Sequence, residues 1–481
     1  MSVVLSLLTS AAVSPIERRR ALDRIHSDPG IPSDPTTSSF WLQDPHPSFA
    51  QPSSKPLPTE ADVVIIGSGI TGASIARILL QNCAKSSPAS SHPAVVMLEA
   101  RDICSGATGR NGGHILETAD VYAEIADVFG EESARKLLRF CLAHLSEMLG
   151  VAEELGLTEV TQARKVQFLI AYFAGMPEES AEWVSYEGDS IPEEFKLSRA
   201  SGFIAGPAGA LWPYKFVTGV LSHLLSEYPK AFHVANHTAV RAIHTEASSS
   251  SSQPYRIETS RGTISAKHVI HCTNAHVGHF VPGLRGRIFS ATKHSWLFNY
   301  HRGFDYLTQL PIGQMMFGGG FANGGVGDLG IAKDDEMSVY IDIHLSGALS
   351  AVFGHKAWGP AQANPIRAMW TGNMAFSTDG FPWVGRFPGS ATGRSEHEPE
   401  KAGGKTGSEW VCAALGGEGM VQAWLCGKAL GTMILKHDGQ LVAVADLDLS
   451  WFPDQLLVSE KRIAEAEMPK NMPDSRRQSN L

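Results

Sequence analysis

The chain has 481 residues, long for one compact core and enough for two domains. Hydrophobic residues make up 43% and charged residues 19%, and a net charge of −9 argues against a nucleic-acid partner and leaves a small molecule as the default one. Cys83, Cys104, Cys141, Cys272, Cys412 and Cys426 form no C-x-x-C pair, so neither a metal site nor a redox dithiol is expected, and reduced thiols inside the cell are.

In the opening MSVVLSLLTSAAVSPIERRR, the basic cluster Arg18, Arg19 and Arg20 follows a short apolar stretch, the wrong order for a secretory signal. No run of about twenty apolar residues exists to span a membrane. Residues 1–54 read as an irregular arm, rich in Pro, Ser and Asp from residue 26 on, with Phe40, Trp41 and Leu42 as an apolar knot that docks it. Residues 61–66 read as a strand, 71–80 as a helix, 86–93 as a Ser/Pro loop and 94–98 as a second strand, which makes a βαβ unit. The spacing of apolar residues predicts a helix over 117–156. Strands are expected at 168–173, 201–205, 237–244, 255–259, 268–272, 289–300 and 314–318, and a helix at 216–226. The serine run 248–252 reads as a surface loop, 388–407 as an insertion, 409–414 as a strand and 420–436 as a helix.

Three motifs carry chemistry. The strand ending at Ile66 runs into Gly67, Ser68, Gly69, Ile70, Thr71 and Gly72 and then a helix, the dinucleotide-binding fingerprint. Gly67 permits the turn, Gly69 the approach of the pyrophosphate and Gly72 close helix packing, while the helix start offers N–H groups to phosphate. The second strand ends at Glu99, Ala100 and Arg101, where an acidic side chain accepts hydrogen bonds from ribose hydroxyls and disfavours a 2′-phosphate. The run Ser105, Gly106, Ala107, Thr108, Gly109, Arg110, Asn111, Gly112, Gly113 and His114 suits a loop wrapped around an extended polar ligand.

The combination of GSGITG, LEAR and SGATGRNGGH resembles the FAD-dependent oxidoreductases of the D-amino acid oxidase superfamily, closest in pattern to members of the γ-glutamylputrescine oxidase and glycine–sarcosine oxidase type. Residues 315–320, 370–372, 377–385 and 415–420 extend the likeness, which spans about 40–435. The resemblance implies an α/β fold: a Rossmann-like FAD-binding domain from residues 55–115, 205–280 and 371–455, and a second α+β substrate domain on a mixed sheet from 116–204 and 281–370. Residues 456–481 would form a tail. It further implies that Val240 meets the adenine part, that Thr273 and Asn274 close over the nucleotide, that Gly385 belongs to the return into the flavin domain, and that Gly416, Gly417, Gly419 and Met420 approach the flavin end. Some sarcosine oxidases tether flavin through a Cys near the region matched here by Gly372. This chain has no Cys from Lys293 to Trp410, so FAD is expected to be noncovalent.

The implied reaction transfers a hydride from a C–H bond next to an amine, in an amine or amino acid, to the flavin, which oxygen or another acceptor reoxidises. The alternatives are a tailoring oxidoreductase acting on a larger secondary metabolite and a non-catalytic flavin-bound scaffold. His114, Lys293 (with His294) and Trp370 are the catalytic candidates, each with a plainer reading as a structural histidine, a solvated pair and a core tryptophan. The end Ser479, Asn480 and Leu481 is one substitution from the S-K-L address, so a cytoplasmic location is expected with peroxisomal import as the alternative.

Overall fold

The structure is a computed structural model describing residues 4, 8–10, 13–84, 92–116, 122–169, 184–187, 190, 202–245, 253–291, 298–300, 303–319, 325–358, 366–394, 407–438 and 448–470. The arm is not irregular throughout. Helix α1 (Pro15–His26) opens it, because Ser14 and Glu17 form a capping box and Pro15 fits the first helical turn. Its buried side chains Leu22 and Ile25 cluster with Phe289 and Phe376.

Strand β1 (Glu60–Ile66) ends in four buried residues, the run expected of a strand covered on both faces. Helix α2 (Ile70–Ala84) and strand β2 (Val95–Leu98) complete the βαβ unit, with β1 and β2 parallel. Strand β3 (His114–Ile115) follows the glycine-rich loop. The helix expected over 117–156 is two from Tyr122 on, α3 (Tyr122–Phe129) and α4 (Glu131–Glu154), because Gly130 turns to φ +83° between them. Strands β4 (Arg164–Leu169) and β5 (Val184–Glu187), like β3, each pair antiparallel with β6 (Gly202–Ala210) in a four-stranded sheet.

Helix α5 (Pro213–Glu227) leads to β7 (Phe232–Ala235), a strand the sequence pattern did not show, and then to β8 (Val240–Thr245), β9 (Tyr255–Thr259) and β10 (Gly262–His271). Strand β10 starts earlier than expected because its first half forms a hairpin with β9. The strand expected over 289–300 is two: β11 (Ile288–Ala291), which pairs with β15 (Met374–Ser377), and β12 (Phe298–Tyr300), which joins β13 (Gly303–Gln309) and β14 (Met315–Gly318). Helix α6 (Val339–Trp358), broken at Gly354 where φ is +73°, had no sequence signal, since its apolar residues are not gathered on one face. Strands β16 (Trp383–Arg386) and β17 (Ser408–Ala413) precede helix α7 (Ala423–His437) and a short last helix, α8 (Glu460–Glu465).

The large sheet runs β16-β17-β10-β1-β2-β7, with β9 attached to β10 and β8 to β9. From β17 to β7 the strands are parallel, and only β16 on this path is antiparallel. One row of register partners crosses it: Gly385, Val411, His271, Ile66, Leu98 and Ala235. At about 4.8 Å per strand that row is about 24 Å long. Each motif begins just past it, on the carboxyl edge of the parallel strands. Helix α7 lies against α2, where a Cβ on Gly427 would come within 2.8 Å of the Thr71 carbonyl and one on Gly431 within 3.0 Å of Ile78. Ser74 also donates to the Trp424 carbonyl at 2.6 Å.

Candidate cofactor and substrate site

The carboxyl edge of an open parallel sheet is where such folds bind ligands. Four chain turns gather there: Gly67 to Gly72 after β1, Glu99 onward after β2, Thr273 and Asn274 after β10, and Ala414 to Met420 after β17. Gly67 takes φ +110°, and a Cβ on it would lie 2.6 Å from the Cys272 carbonyl oxygen. A Cβ on Gly72 would lie 2.3 Å from the Gly67 oxygen, the close packing expected of the third glycine. Gly69 differs from its expected use: its open side faces the Thr108 hydroxyl, 3.0 Å from where a Cβ would stand, and that hydroxyl accepts the Ile70 N–H at 3.1 Å. The glycine-rich loop therefore caps the start of α2.

Glu99 is bound into the turn. Its Oε2 accepts the Ser68 N–H at 3.1 Å and the Ser68 hydroxyl at 2.7 Å, and its Oε1 accepts the Arg101 N–H at 3.2 Å. A carboxylate has about four lone-pair sites, so capacity remains for a ribose hydroxyl. The Cys104 N–H donates to the Ser68 oxygen at 2.8 Å, which carries the chain into the next loop. Three non-glycine residues here adopt the left-handed conformation: Cys104, Asn274 and Ala414. Asn274 and Ala414 support each other, since Oδ1 of Asn274 accepts the Ala414 N–H at 3.1 Å. Such strain gathers where a ligand site is held in shape.

The two arginines expected at the cofactor are spent on protein. Arg101 forms a bidentate pair with buried Asp334, at 2.8 and 3.1 Å, and donates to the Ser33 carbonyl. Arg110 is fully enclosed. It donates to the carbonyls of Ser105, Thr37 and Thr371 and to the hydroxyls of Thr36 and Thr37, and its Nε lies 3.3 Å from Asp334. Both hold the loop, and of their nitrogens Arg101 Nε is buried without a partner in the protein. Val240 is buried in the core at the start of β8, beside the turn whose Thr238 N–H donates to the Glu99 carbonyl. Gly385 lies in edge strand β16, three strands and about 14 Å from Ile66 along the row.

Ser105 Oγ and Thr273 Oγ1 are buried hydroxyl oxygens with no partner in the protein, one on the glycine-rich loop and one after β10. A Cβ on Gly106 would meet no atom within 4 Å, and those on Gly416 and Gly419 would meet none closer than 3.8 Å. Gly416 and Gly417 take φ +61° and +85°. Buried hydroxyls beside open glycine backbone fit an extended polar group such as FAD. The sequence did not single out Asn373, whose Oδ1 is also buried without a partner. It lies between Gly372, against Arg110, and Ala375, whose carbonyl accepts the Gly416 N–H at 2.9 Å. Only its position between two motif segments could have marked it.

Of the catalytic candidates, His114 is fully buried and its pKa is lowered to about 4, chiefly by burial. Its ring contacts the Thr308 hydroxyl and, at 3.1 Å from Nε2, the Leu307 carbonyl, tying β3 to β13. Tyr306 stands edge-on to it, fills the space beside Gly112 and Gly318, and has its phenol pKa pushed up by burial. Trp370 is half-buried and donates to the Arg110 carbonyl at 2.9 Å. Lys293 and His294 lie outside the described residues.

Residues 62–433 match the model of the DAO family of FAD dependent oxidoreductases, and the chain belongs to that family. It is an FAD-dependent oxidoreductase. Glycine oxidase from Geobacillus kaustophilus is similar in fold, with 16% identity, a TM-score of 0.51 and coverage of 79% of this chain and 95% of that one. L-proline dehydrogenase from P. horikoshii is similar at 18% identity and a TM-score of 0.52, covering 79% and 94%. The L-amino acid deaminase of Proteus myxofaciens is similar at 15% identity and a TM-score of 0.54, covering 89% and 99%. A sequence search of curated proteins finds no match. No helix among the described residues is long and apolar enough to cross a membrane.

Proposed function

We propose that this protein oxidises a C–H bond next to the nitrogen of an amine or amino acid. Bound noncovalently, FAD would supply the hydride acceptor, and oxygen or another oxidant would regenerate it. The observation that carries the reading is the make-up of the wall beside Gly112 and Gly113. Among the described residues His114, Tyr306 and Thr308 meet Gly112, and Trp41 and Leu211 meet Gly113, with the His114 imidazole and the Tyr306 phenol held neutral by burial. A neutral amine loses hydride to give an imine with little acid–base help, and the neutral imidazole and phenol beside Gly112 are compatible with that. The neighbours named for glycine, L-proline and L-amino acids support the same substrate class.

In this reading, residues 55–115, 205–280 and 371–455 form the flavin domain and 116–204 and 281–370 the substrate side. Thr273, Ser105 and the backbone at Gly106, Gly416, Gly417, Gly419 and Met420 hold the cofactor. Glu99 takes the ribose, and His114 orients the wall without moving a proton. The test is anaerobic mixing of the yellow holoprotein with a panel of amines and amino acids. Loss of the flavin's visible absorbance with one substrate class is the expected result, and oxygen uptake with that substrate separates oxidase from dehydrogenase. A holoprotein that no amine or amino acid bleaches refutes the proposal.

A further inference from the structure

The family match begins at residue 62, yet the glycine-rich loop is held by residues that precede it. The Ser39 hydroxyl donates to the Gly109 carbonyl at 2.7 Å. The Trp41 indole N–H donates to the Asn111 carbonyl at 2.5 Å, and its ring lies 3.3 Å from where a Gly113 Cβ would stand. Thr36 and Thr37 receive Arg110, and the Thr37 oxygen also takes the Thr371 N–H at 3.0 Å. The same stretch is fastened from the far side: the Thr37 N–H and hydroxyl both donate to the Asp334 carbonyl at 2.9 Å.

We infer that residues 36–41 of the arm are a strap that sets the affinity of this chain for FAD. The loop from Ser105 to Gly113 is held from within by the turn Ala107–Arg110, the Arg110 bond to the Ser105 carbonyl and the Asn111 side chain on the Gly113 N–H, while three of its carbonyls are held by other segments. It contains four glycines, and among its own side chains Arg110 is turned inward. Three successive carbonyls, those of Gly109, Arg110 and Asn111, each accept a side-chain donor from another segment: Ser39, Trp370 and Trp41. Fixing consecutive carbonyls fixes the peptide planes between them, and therefore the direction in which the intervening N–H groups point. A loop with its amides already aimed binds an extended dinucleotide without paying the ordering entropy at that moment. The strap is a positioning device; its own side chains point at protein. The inference rests on the cofactor assignment, because a loop with no ligand gains nothing from being aimed.

The experiment measures FAD affinity and FAD release on full-length protein stripped of flavin and reloaded. The variants are Thr37→Val, Ser39→Ala and Trp41→Phe, the last keeping an aromatic ring while deleting the indole donor. The control is Ser53→Ala, which removes the hydroxyl bonded to Asn236 at 2.6 Å and loosens the arm at a place that does not touch the loop. Each strap variant is expected to raise the FAD dissociation constant about tenfold, the worth of roughly one hydrogen bond, through faster release. Ser53→Ala is expected to match wild type. Strap variants with wild-type affinity and release overturn the inference. So does a Ser53→Ala protein that loses FAD equally, since arm docking in general would then be the cause. A wild-type protein that takes up no flavin overturns the cofactor assignment itself, and that outcome is read before any variant.

Discussion

Lowering the pH from 7 to 5 should destabilise this protein through two buried histidines, and His144→Gln should remove half of that effect. His144 on α4 joins that helix to α7. Its Nδ1–H donates to the Phe140 carbonyl at 3.0 Å, and its Nε2 accepts the Leu425 N–H at 3.1 Å. That network needs the neutral ring, because a proton on Nε2 would face the Leu425 N–H. Burial lowers its pKa to about 4, and does the same to His114. Unfolded, both protonate near 6.5. The folded pKa is the depressed one, so this stability is complete above about pH 6.5 and is lost as the pH falls toward 4. A pKa held about two to three units below its unfolded value corresponds to about 3 kcal/mol once titration is complete. At pH 5 linkage gives about 2 kcal/mol per histidine and about 4 kcal/mol for the pair. For 481 residues the entropy of unfolding is about 1 kcal/mol/K, so the pair is worth about 4 °C in midpoint. Gln in place of His144 keeps an acceptor for the Leu425 N–H and cannot titrate. The assay is the thermal midpoint of the holoprotein at intervals from pH 7.5 to 4.5, read as the difference between variant and wild type so that other groups cancel. The variant should start below wild type and close the gap by about 2 °C at pH 5. Curves that stay parallel refute the assignment of a neutral, acid-labile His144.

Glycine substitutions should separate packing from ligand approach. Gly72→Ala places a Cβ 2.3 Å from backbone and should lower the midpoint of the apoprotein and weaken FAD about tenfold or more. Gly106→Ala meets no protein atom within 4 Å, so apoprotein stability should hold while FAD titration shows weaker binding. Asp334→Asn leaves two enclosed guanidinium groups without their carboxylate and should cost about 3 kcal/mol in denaturant unfolding. Glu409→Gln should cost a similar amount at neutral pH. Burial alone would raise that carboxyl, but hydrogen bonds from His271 and Arg394 outweigh it and hold the pKa at about 2. Its contribution is present above about pH 4.5 and fades only below it, so the loss on substitution should not change between pH 7 and 5.

What was legible from the sequence divides along a physical line. The glycine turns read well because each serves a backbone requirement that no other residue meets: φ +110° at Gly67 and a 2.3 Å approach at Gly72 belong to those positions wherever the rest of the chain goes. Family membership followed from those turns together with Glu99. The contacts of Arg110 were not legible, for the opposite reason. Its partners Thr36, Thr37, Thr371 and Asp334 stand up to 261 residues away in sequence and have no pattern of their own. The contacts of His114 are a similar case, since the Leu307 carbonyl and the Thr308 hydroxyl that meet its ring come from β13, far from it in the chain. Strand β7 was missed because its burial alternates too weakly over four residues, and its place is set by pairing with β2. Backbone-imposed residues announce themselves; side chains whose role depends on distant partners do not. The residues proposed to face the substrate are of the second kind, drawn from β3 and β13. A chain can therefore show its cofactor class plainly and still hide its substrate: backbone turns hold the cofactor, whereas the substrate is recognised by side chains that only the fold brings together.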